Sequence, residues 1–381
     1  MKVSLTDICD FQGGTQPPKD EWIDQPAQGY VRMLQIRDFT QSGKNYIEYV
    51  KDTGKLKTCI EDDILIGRYG ASIGKILTGL AGAYNVAIVK TIPDEKVVSK
   101  KYLYWYLNSQ YFQRFISNVG SRAAQAGFNK NDLGAAQIPL VDKERQEEIC
   151  EVLEKANKLI SLRKQQLAKL DELVKARFVE MFGDEQAFNK EPLSQNVEEM
   201  FIGPFGSSLK NESFVSKENG YCMVYEQKHA IRKTMDVETR YIDKPKYEEL
   251  KRFSIHGGDI IVSCRGTIGE TYIVPLNAPL GIMHPSIMKI RVKDSIYNRV
   301  FFDFLLQEKL KQHEAQANGS GVKMAVTASA LGKEEFIVPS IPFQNQFAAF
   351  VERVDQQKQT VQQSLEKLEL MKKALMQEYF G

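Results

Sequence analysis

The sequence predicts a mixed α/β (α+β) chain built twice over, each copy followed by one long helix. Three observations carry this. A strand-like motif recurs, with Asp63-Ile64-Leu65-Ile66, Gly70 and Ile73-Gly74 echoed by Asp259-Ile260-Ile261-Val262, Gly266 and Ile268-Gly269. Leu133-Gly134 is echoed by Leu331-Gly332, and Ile138-Pro139 matches Val338-Pro339 with a two-residue slip. Each copy then runs into an uninterrupted helical pattern that ends in Phe-Gly, at Phe182-Gly183 and Phe380-Gly381, 198 positions apart. The order is domain, helix, domain, helix, with boundaries at 1–142, 143–186, 187–342 and 343–381.

Each element has a local reason. Residues 64–66 and 260–262 are short apolar, β-branched runs closed by glycine turns, which reads as strands. The aromatic-rich stretches 100–116 and 298–310 have helical spacing, and their rings read as core rather than as base-stacking platforms. Behind Asp142, a suitable N-cap, apolar residues recur at Ile149, Val152, Leu153, Ala156, Leu159, Ile160, Leu167, Leu170, Val174 and Phe178. The second copy runs Phe347, Phe350, Val351, Val354, Val361, Leu365, Leu368, Met371 and Leu375, with Pro342 suited to a first turn. Spacings of three and four make a narrow coiled-coil seam. About 35 residues give a rod of roughly 50 Å, marginal alone in water, so each helix is the obvious partner of the other. The interface expected from this seam is Leu153, Ala156, Ile160, Leu167, Leu170 and Val174 against Val351, Val354, Val361, Leu365, Leu368 and Leu375.

Composition narrows the function classes. The chain has 381 residues, enough for two ordinary domains with real cores. At 43% apolar and 26% charged it reads as globular. No apolar run approaches the roughly 20 residues that span a bilayer, and the start lacks the apolar core of a signal peptide. Five scattered cysteines with no CxxC pair argue against a disulfide framework or zinc site and fit a cytoplasmic location. A net charge of +2 requires any nucleic-acid surface to come from segregated basic residues.

Familiar catalytic motifs are missing. The stretch LIGRYGASIGK, residues 65–75, resembles a phosphate loop but is one residue short between Gly70 and Gly74. Ile76 stands where the magnesium-holding hydroxyl belongs, and the second copy has Gly269-Glu270 with no lysine. The glycines read instead as a sharp turn that presents Arg68, Tyr69 and Ser72 in one copy and Cys264, Arg265 and Thr267 in the other. His229, His256, His284 and His313 are the only histidines and none has ligand spacing, so no metal site is expected. There is no N-P-P-Y-type tetrapeptide and no glycine-rich cofactor turn. Glu226-Gln227-Lys228 could end a nuclease E-x-K motif. An autonomous nuclease using Asp259 and Glu226 is therefore the alternative reading.

The frame repeats while the loops differ. RMLQIRDFTQSGKN (32–45) faces CMVYEQKHAIRKTM (222–235), and GSRAAQAGFNKNDL (120–133) faces GSGVKMAVTASAL (319–331). Arg, Gln, Asn and Lys are the side chains that read base edges, and Lys and Arg also hold phosphates. The candidate DNA-binding residues are therefore Gln35, Arg37, Lys44, Arg68, Tyr69, Ser72, Arg122, Asn129 and Lys130 in the first copy. In the second they are Gln227, Lys228, His229, Arg232, Arg265, Thr267 and Lys323.

The chain resembles the specificity subunit of type I restriction-modification systems, over nearly its whole length. VSLTDICDFQGGTQPP (3–18), IGPFGSSLKNESF (202–214) and GDIIVSCRGTIG (258–269) resemble parts of that family's target recognition domains. IPLVDKERQEEICEVL (138–153), VPSIPFQNQFAAFVERVD (338–355) and KLELMKKALMQEYFG (367–381) resemble its conserved helical regions. Gln344-Asn345-Gln346 departs from the acidic-Gln pair often found there. The resemblance implies two target recognition domains, each reading one half of a bipartite, asymmetric site in double-stranded DNA, and two antiparallel helices as spacer. It also implies that two methyltransferase subunits dock on the frame and that restriction subunits can join. S-adenosylmethionine, ATP and magnesium would then belong to partner subunits, and this chain would carry no cofactor and do no chemistry.

Overall fold

A computed structural model of the chain describes residues 1–41, 46–120, 127–265, 267–320 and 327–381. These form two compact units, Met1–Gln166 with Val361–Gly381, and Leu167–Thr360. The division falls inside both long helices, Lys143–Phe182 and Ile341–Phe380, each of 40 residues. They are thus somewhat longer than the sequence pattern alone suggested.

In the first unit, one four-stranded antiparallel sheet has the order Cys9–Gly13, Ile88–Pro93, Leu65–Gly67, Ile76–Leu77. A second sheet has the order Tyr49–Lys51, Tyr30–Leu34, Gly82–Tyr84, Thr58–Cys59, and its two central strands run parallel. Lys2–Ser4 pairs with Gln137–Pro139. The second unit repeats this topology strand for strand. One sheet runs Val197–Ile202, Ile287–Val292, Ile260–Ser263, Thr271–Ile273, and the other Tyr241–Ile242, Cys222–Tyr225, Gly281–Met283, Ser254–Ile255. Its central pair, Cys222–Tyr225 with Gly281–Met283, is again parallel. Lys190–Pro192 pairs with Glu335–Ile337. The predicted two-residue slip is not there: Pro139 lies opposite Lys2 and Ile337 opposite Lys190, so Ile138 corresponds to Phe336 rather than to Val338. Both of those side chains are buried, and burial rather than the Ile-Pro letters sets the register.

The core of the first unit gathers Leu5, Ile66, Tyr102, Leu103, Tyr106, Phe112 and Leu133 around the helices Lys100–Leu107 and Gln110–Gly120. The single stretch predicted there is two helices. In the second unit the equivalent element is one helix, Arg299–Ser320, with Phe301, Phe302, Leu305 and Leu306 buried. The aromatics expected in the core are in the core.

A buried glutamine fixes the start of each long helix. The Gln146 amide accepts from the Ser99 N–H at 2.9 Å and donates to the Val97 and Val141 carbonyls, both at 2.9 Å. Gln344 does the same with the Asn298 N–H at 2.9 Å and the Ile296 and Pro339 carbonyls at 2.8 and 2.7 Å. Both are fully buried, so each bond replaces water that the amide has lost. The departure at Gln344-Asn345-Gln346 leaves this latch intact.

The helices pack antiparallel. In the first unit Lys372 Nζ donates to Asn157 Oδ1 at 2.7 Å, Arg163 Nε to Ser364 Oγ at 3.2 Å, and Lys164 pairs with Glu369 at 2.9 Å. In the second, Asp171 pairs with Lys358 at 2.6 Å and the Phe178 ring meets Phe347. Leu153, Ala156, Ile160, Leu170, Val174, Val354, Val361 and Leu365 are buried, while Leu167, Val351, Leu368 and Leu375 are half-buried. Val152 and Leu159 are exposed although they fit the spacing, because the seam is only one residue wide on each turn.

Candidate nucleic-acid interface

In the first unit, the strand Tyr30–Leu34 turns directly into the short helix Ile36–Thr40. The Gln35 N–H at the cap donates to Asp38 Oδ2 at 2.7 Å. The Leu34 carbonyl accepts from the Asn85 N–H at 3.2 Å, and the Ala87 carbonyl accepts from the Arg68 N–H at 2.8 Å. Asn85 Oδ1 closes its own turn by accepting from the Ala87 N–H at 3.2 Å. Residues 85–87 therefore tie the Gln35–Arg37 helix start to the Arg68–Ser72 turn, along one edge of the domain.

The second unit builds the same edge from different side chains. The Glu226 N–H donates to His229 Nδ1 at 3.0 Å, so His229 takes the place of Asp38. The Tyr225 carbonyl accepts from the His284 N–H, and the Ser286 carbonyl from the Cys264 N–H, both at 2.9 Å. His284 Nδ1 accepts from the Ser286 N–H at 3.2 Å, as the Asn85 amide does in the first copy. Beneath each edge sits an obligatory glycine. A Cβ on Gly14 would lie 2.1 Å from the Asn85 carbonyl oxygen, and one on Gly203 would lie 2.3 Å from that of His284. This close approach explains Gly14 within GGTQPP and Gly203 within IGPFGSS.

The structure sorts the predicted readers. Gln35 and Arg37 both donate to Glu48, with the Gln35 bond at 2.7 Å. Arg68 donates through Nε to the Phe128 carbonyl at 2.9 Å and lies beside the exposed Tyr69 ring. Ser72 sits half-buried in the following turn. Asn129 is the exposed N-cap of Lys130–Gly134, its Oδ1 accepting from the Asp132 N–H at 3.1 Å, and Lys130 pairs with Asp10 on the surface. Lys228 pairs with Glu226 at 2.8 Å, while Arg232, Arg265 and Thr267 are exposed. Gln227 is half-buried, with its Oε1 enclosed. His229 lies fully inside: its imidazole is a capping group, and burial leaves it no face for DNA. Lys44, Arg122 and Lys323 lie outside the described residues. Four participants escaped the sequence reading: Glu48, Asn85, Arg240 and His284. Glu48 and Arg240 had one signal, since each immediately precedes the Tyr of a short β-branched strand, in Glu48-Tyr49-Val50 and Arg240-Tyr241-Ile242.

Titration distinguishes the two edges. Burial pushes His229 and His284 below the ordinary histidine value of 6.5. Their folded-state pKa values lie below the unfolded one, so acid favours the unfolded chain. The second unit is therefore expected to lose stability as pH falls from about 7 to about 5, the range in which an unfolded histidine gains its proton. The first unit has no histidine at these places, which hold Asp38 and Asn85 instead. Denaturant melts of the chain at both pH values check this. The double variant His229→Asn, His284→Asn keeps both acceptors and should flatten the dependence.

The two carboxylates of the nuclease reading are committed elsewhere. Burial would raise the Glu226 pKa, but hydrogen bonds from Lys228 and Arg240 outweigh it and hold the carboxyl below its usual range. Asp259 accepts from Arg291 at 2.7 and 2.9 Å and from the His256 N–H at 2.8 Å. Among the described residues no group of three or more His, Cys, Asp or Glu side chains could hold a metal ion.

Comparison with known proteins decides the family. The family model for the type I restriction modification DNA specificity domain matches residues 1–172 and again 202–370. The chain belongs to this family. It is a specificity subunit, and nothing in its structure favours the nuclease alternative. Two proteins of Methanocaldococcus jannaschii are similar to it. The type I restriction enzyme MjaVIII specificity subunit is 20% identical, covering 98% of this chain and 90% of that protein. The putative type I restriction enzyme MjaX specificity subunit is 21% identical, covering 89% and 82%. Among solved structures, a chain from work on complex assembly and conformational transition of the type I R-M system matches with a TM-score of 0.66 at 15% identity, covering 100% of this chain and 97% of that one. The type I S subunit of M. genitalium matches at 0.54 and 16%, covering 100% and 96%. Both likenesses concern the fold.

Proposed function

We propose that this specificity subunit reads a bipartite, asymmetric site in double-stranded DNA, one half with each recognition domain, and that its helix pair sets the spacing. The observation that carries this is the repeated edge. Both domains build it with the same backbone bonds at residues 85–87 and 284–286, yet line it with different donors. A common frame with unlike polar groups is what two different half-sites require. The domains correspond to residues 1–142 and 187–342, with 143–186 and 343–381 as the spacer helices.

The partners follow from the same frame. A repeated scaffold presents similar surfaces twice, so the chain should bind two methyltransferase subunits, with restriction subunits able to join them. S-adenosylmethionine, ATP and magnesium would be held by those partners. No helix of the described residues is long and apolar enough to cross a membrane, and the free cysteines suit a cytoplasmic setting.

Co-expression with its methyltransferase tests the reading. The complex is expected to contain two methyltransferases per specificity subunit by native mass measurement, and to methylate one bipartite motif when modified DNA is sequenced. The purified chain alone should neither methylate nor cleave plasmid DNA in the presence of magnesium. A stable one-to-one complex at saturating methyltransferase, or cleavage by the chain alone, would count against it.

A further inference from the structure

We propose that Glu48 and Glu226 are positioning residues for base reading, and that moving this one carboxylate across the strand pair is what gives the two domains different preferences. The inference rests on the function proposed above. The positions correspond through the backbone: the Met33 N–H donates to the Glu48 carbonyl at 2.8 Å, and the Val224 N–H to the Arg240 carbonyl at 2.9 Å. Glu48 and Arg240 therefore hold one place in the frame. Gln35 and Glu226, the two helix caps, hold a second, and Arg37 and Lys228, two residues further on, hold a third. In the first domain the carboxylate comes from the strand side, and Glu48 collects Gln35, Arg37 and Lys19. In the second it comes from the cap, and Glu226 collects Lys228 and Arg240. The acid has moved from the strand to the cap, where the first domain has a neutral amide, and a guanidinium stands on the strand where the acid was.

Packing alone does not explain the exchange. Each carboxylate is 8% exposed, and a charge so enclosed needs a cation against it. Either placement meets that need. Each domain even rests one of these cations on a ring, Lys19 at 3.8 Å from the Trp22 centroid and Arg240 at 4.0 Å from that of Phe214. What changes is the outer surface. The first domain offers the Gln35 amide and the Arg37 guanidinium on the helix, whereas the second offers Lys228 on the helix and a guanidinium moved to the strand. The side chains of Arg37, Lys228 and Arg240 are 38%, 34% and 34% exposed, so donors remain for a ligand. A guanidinium has five N–H groups, and a carboxylate behind it fixes the fork while leaving outer donors free. Such a fork suits guanine, and a held glutamine amide suits adenine.

The test uses the full chain in complex with its methyltransferase, acting on a DNA library randomised at every position of both half-sites, with methylation read by sequencing. Glu48→Gln should weaken discrimination at one base pair of one half-site by roughly 10- to 100-fold, the size of one bidentate contact, and leave the other half-site unchanged. The transposed pair Q35E/E48R gives the first domain the second domain's arrangement and should change the preferred base there rather than relax it. E226Q/R240E should do the same in the other half-site. If Glu48→Gln lowers methylation of every sequence by one common factor, with all preferences kept, Glu48 is only structural and the inference fails. If Glu48→Gln fails to fold, Q35E/E48R still places a carboxylate among the cations, and unchanged preferences in that variant overturn the inference by themselves. A wild-type complex with no bipartite preference would overturn the proposed function, and this inference with it.

Discussion

Phe182→Ala is expected to cost about 3–5 kcal/mol in the second unit, the range for removing a buried phenylalanine. Phe182 is 1% exposed and sits among Phe178, Phe188, Phe301, Phe343 and Phe347, with ring centroids 4.7–5.8 Å away. Truncation removes the ring from every one of those contacts at once, and the neighbours are themselves too interlocked to collapse into the space. Phe380→Ala is the counterpart in the first unit, where the ring is 1% exposed and lies 5.2 and 6.1 Å from Tyr102 and Tyr106. The hydroxyls of those tyrosines are bound to the Pro139 and Gln137 carbonyls, so they too cannot follow the lost ring. Hydrogen exchange separates the two variants. Phe182→Ala should lower protection within residues 167–360, and Phe380→Ala within residues 1–166 and 361–381. A loss under about 1 kcal/mol for Phe182→Ala, measured as a midpoint shift at constant denaturant slope, would mean the Phe-Gly ends are not anchored as described.

The Phe-Gly ends also show what a sequence can disclose. They were visible as a repeat because one physical demand, plugging the end of a helix into a core, admits few residues. The same holds for Leu133 and Leu331, for the Gly70 and Gly74 turn, and for the helix seams, where burial restricts each position to an apolar type. The polar edge was only partly legible. Gln35 and Arg37 were picked out by residue type, but Glu48 was not, because it is joined to them by strand pairing rather than by proximity in the chain. His229 lies among the polar loop residues in the sequence, yet in the fold it replaces an aspartate at a helix cap and is buried. Asn129 is exposed, but its Oδ1 is turned back on the backbone of the next helix, which residue type alone does not reveal. Residue type marks a group able to read DNA, but only the fold shows whether that group is already spent.

Exchanging residues 1–142 for the equivalent domain of a related subunit is expected to rewrite one half of the recognised site and leave the other half and the spacing unchanged. Each domain closes its own two four-stranded sheets, and its edge is tied together by bonds that lie wholly within it, Leu34 to Asn85 and Arg68 to Ala87 in one, Tyr225 to His284 and Cys264 to Ser286 in the other. Among the described residues neither edge borrows a strand from the other domain, so a foreign first domain brings its own edge with it. The effect on the original site should be large. At about 1–3 kcal/mol per mismatched base pair, three wrong pairs in one half-site remove about 3–9 kcal/mol of specific binding. Methylation of the old motif should then vanish, and a hybrid motif should appear in its place. The donor domain must supply backbone groups equivalent to the Ser99 N–H and the Val97 and Val141 carbonyls, because Gln146 of the retained helix bonds to all three. A donor domain lacking that loop geometry would leave the amide buried without bonds and unseat the helix. Removing one heptad from both long helices should have the converse outcome, with both half-sites retained and the distance between them altered, or binding lost. If the domain exchange instead changes both halves of the motif, the two edges cannot be reading independently, and the DNA would have to be contacted by one continuous surface to which both domains contribute.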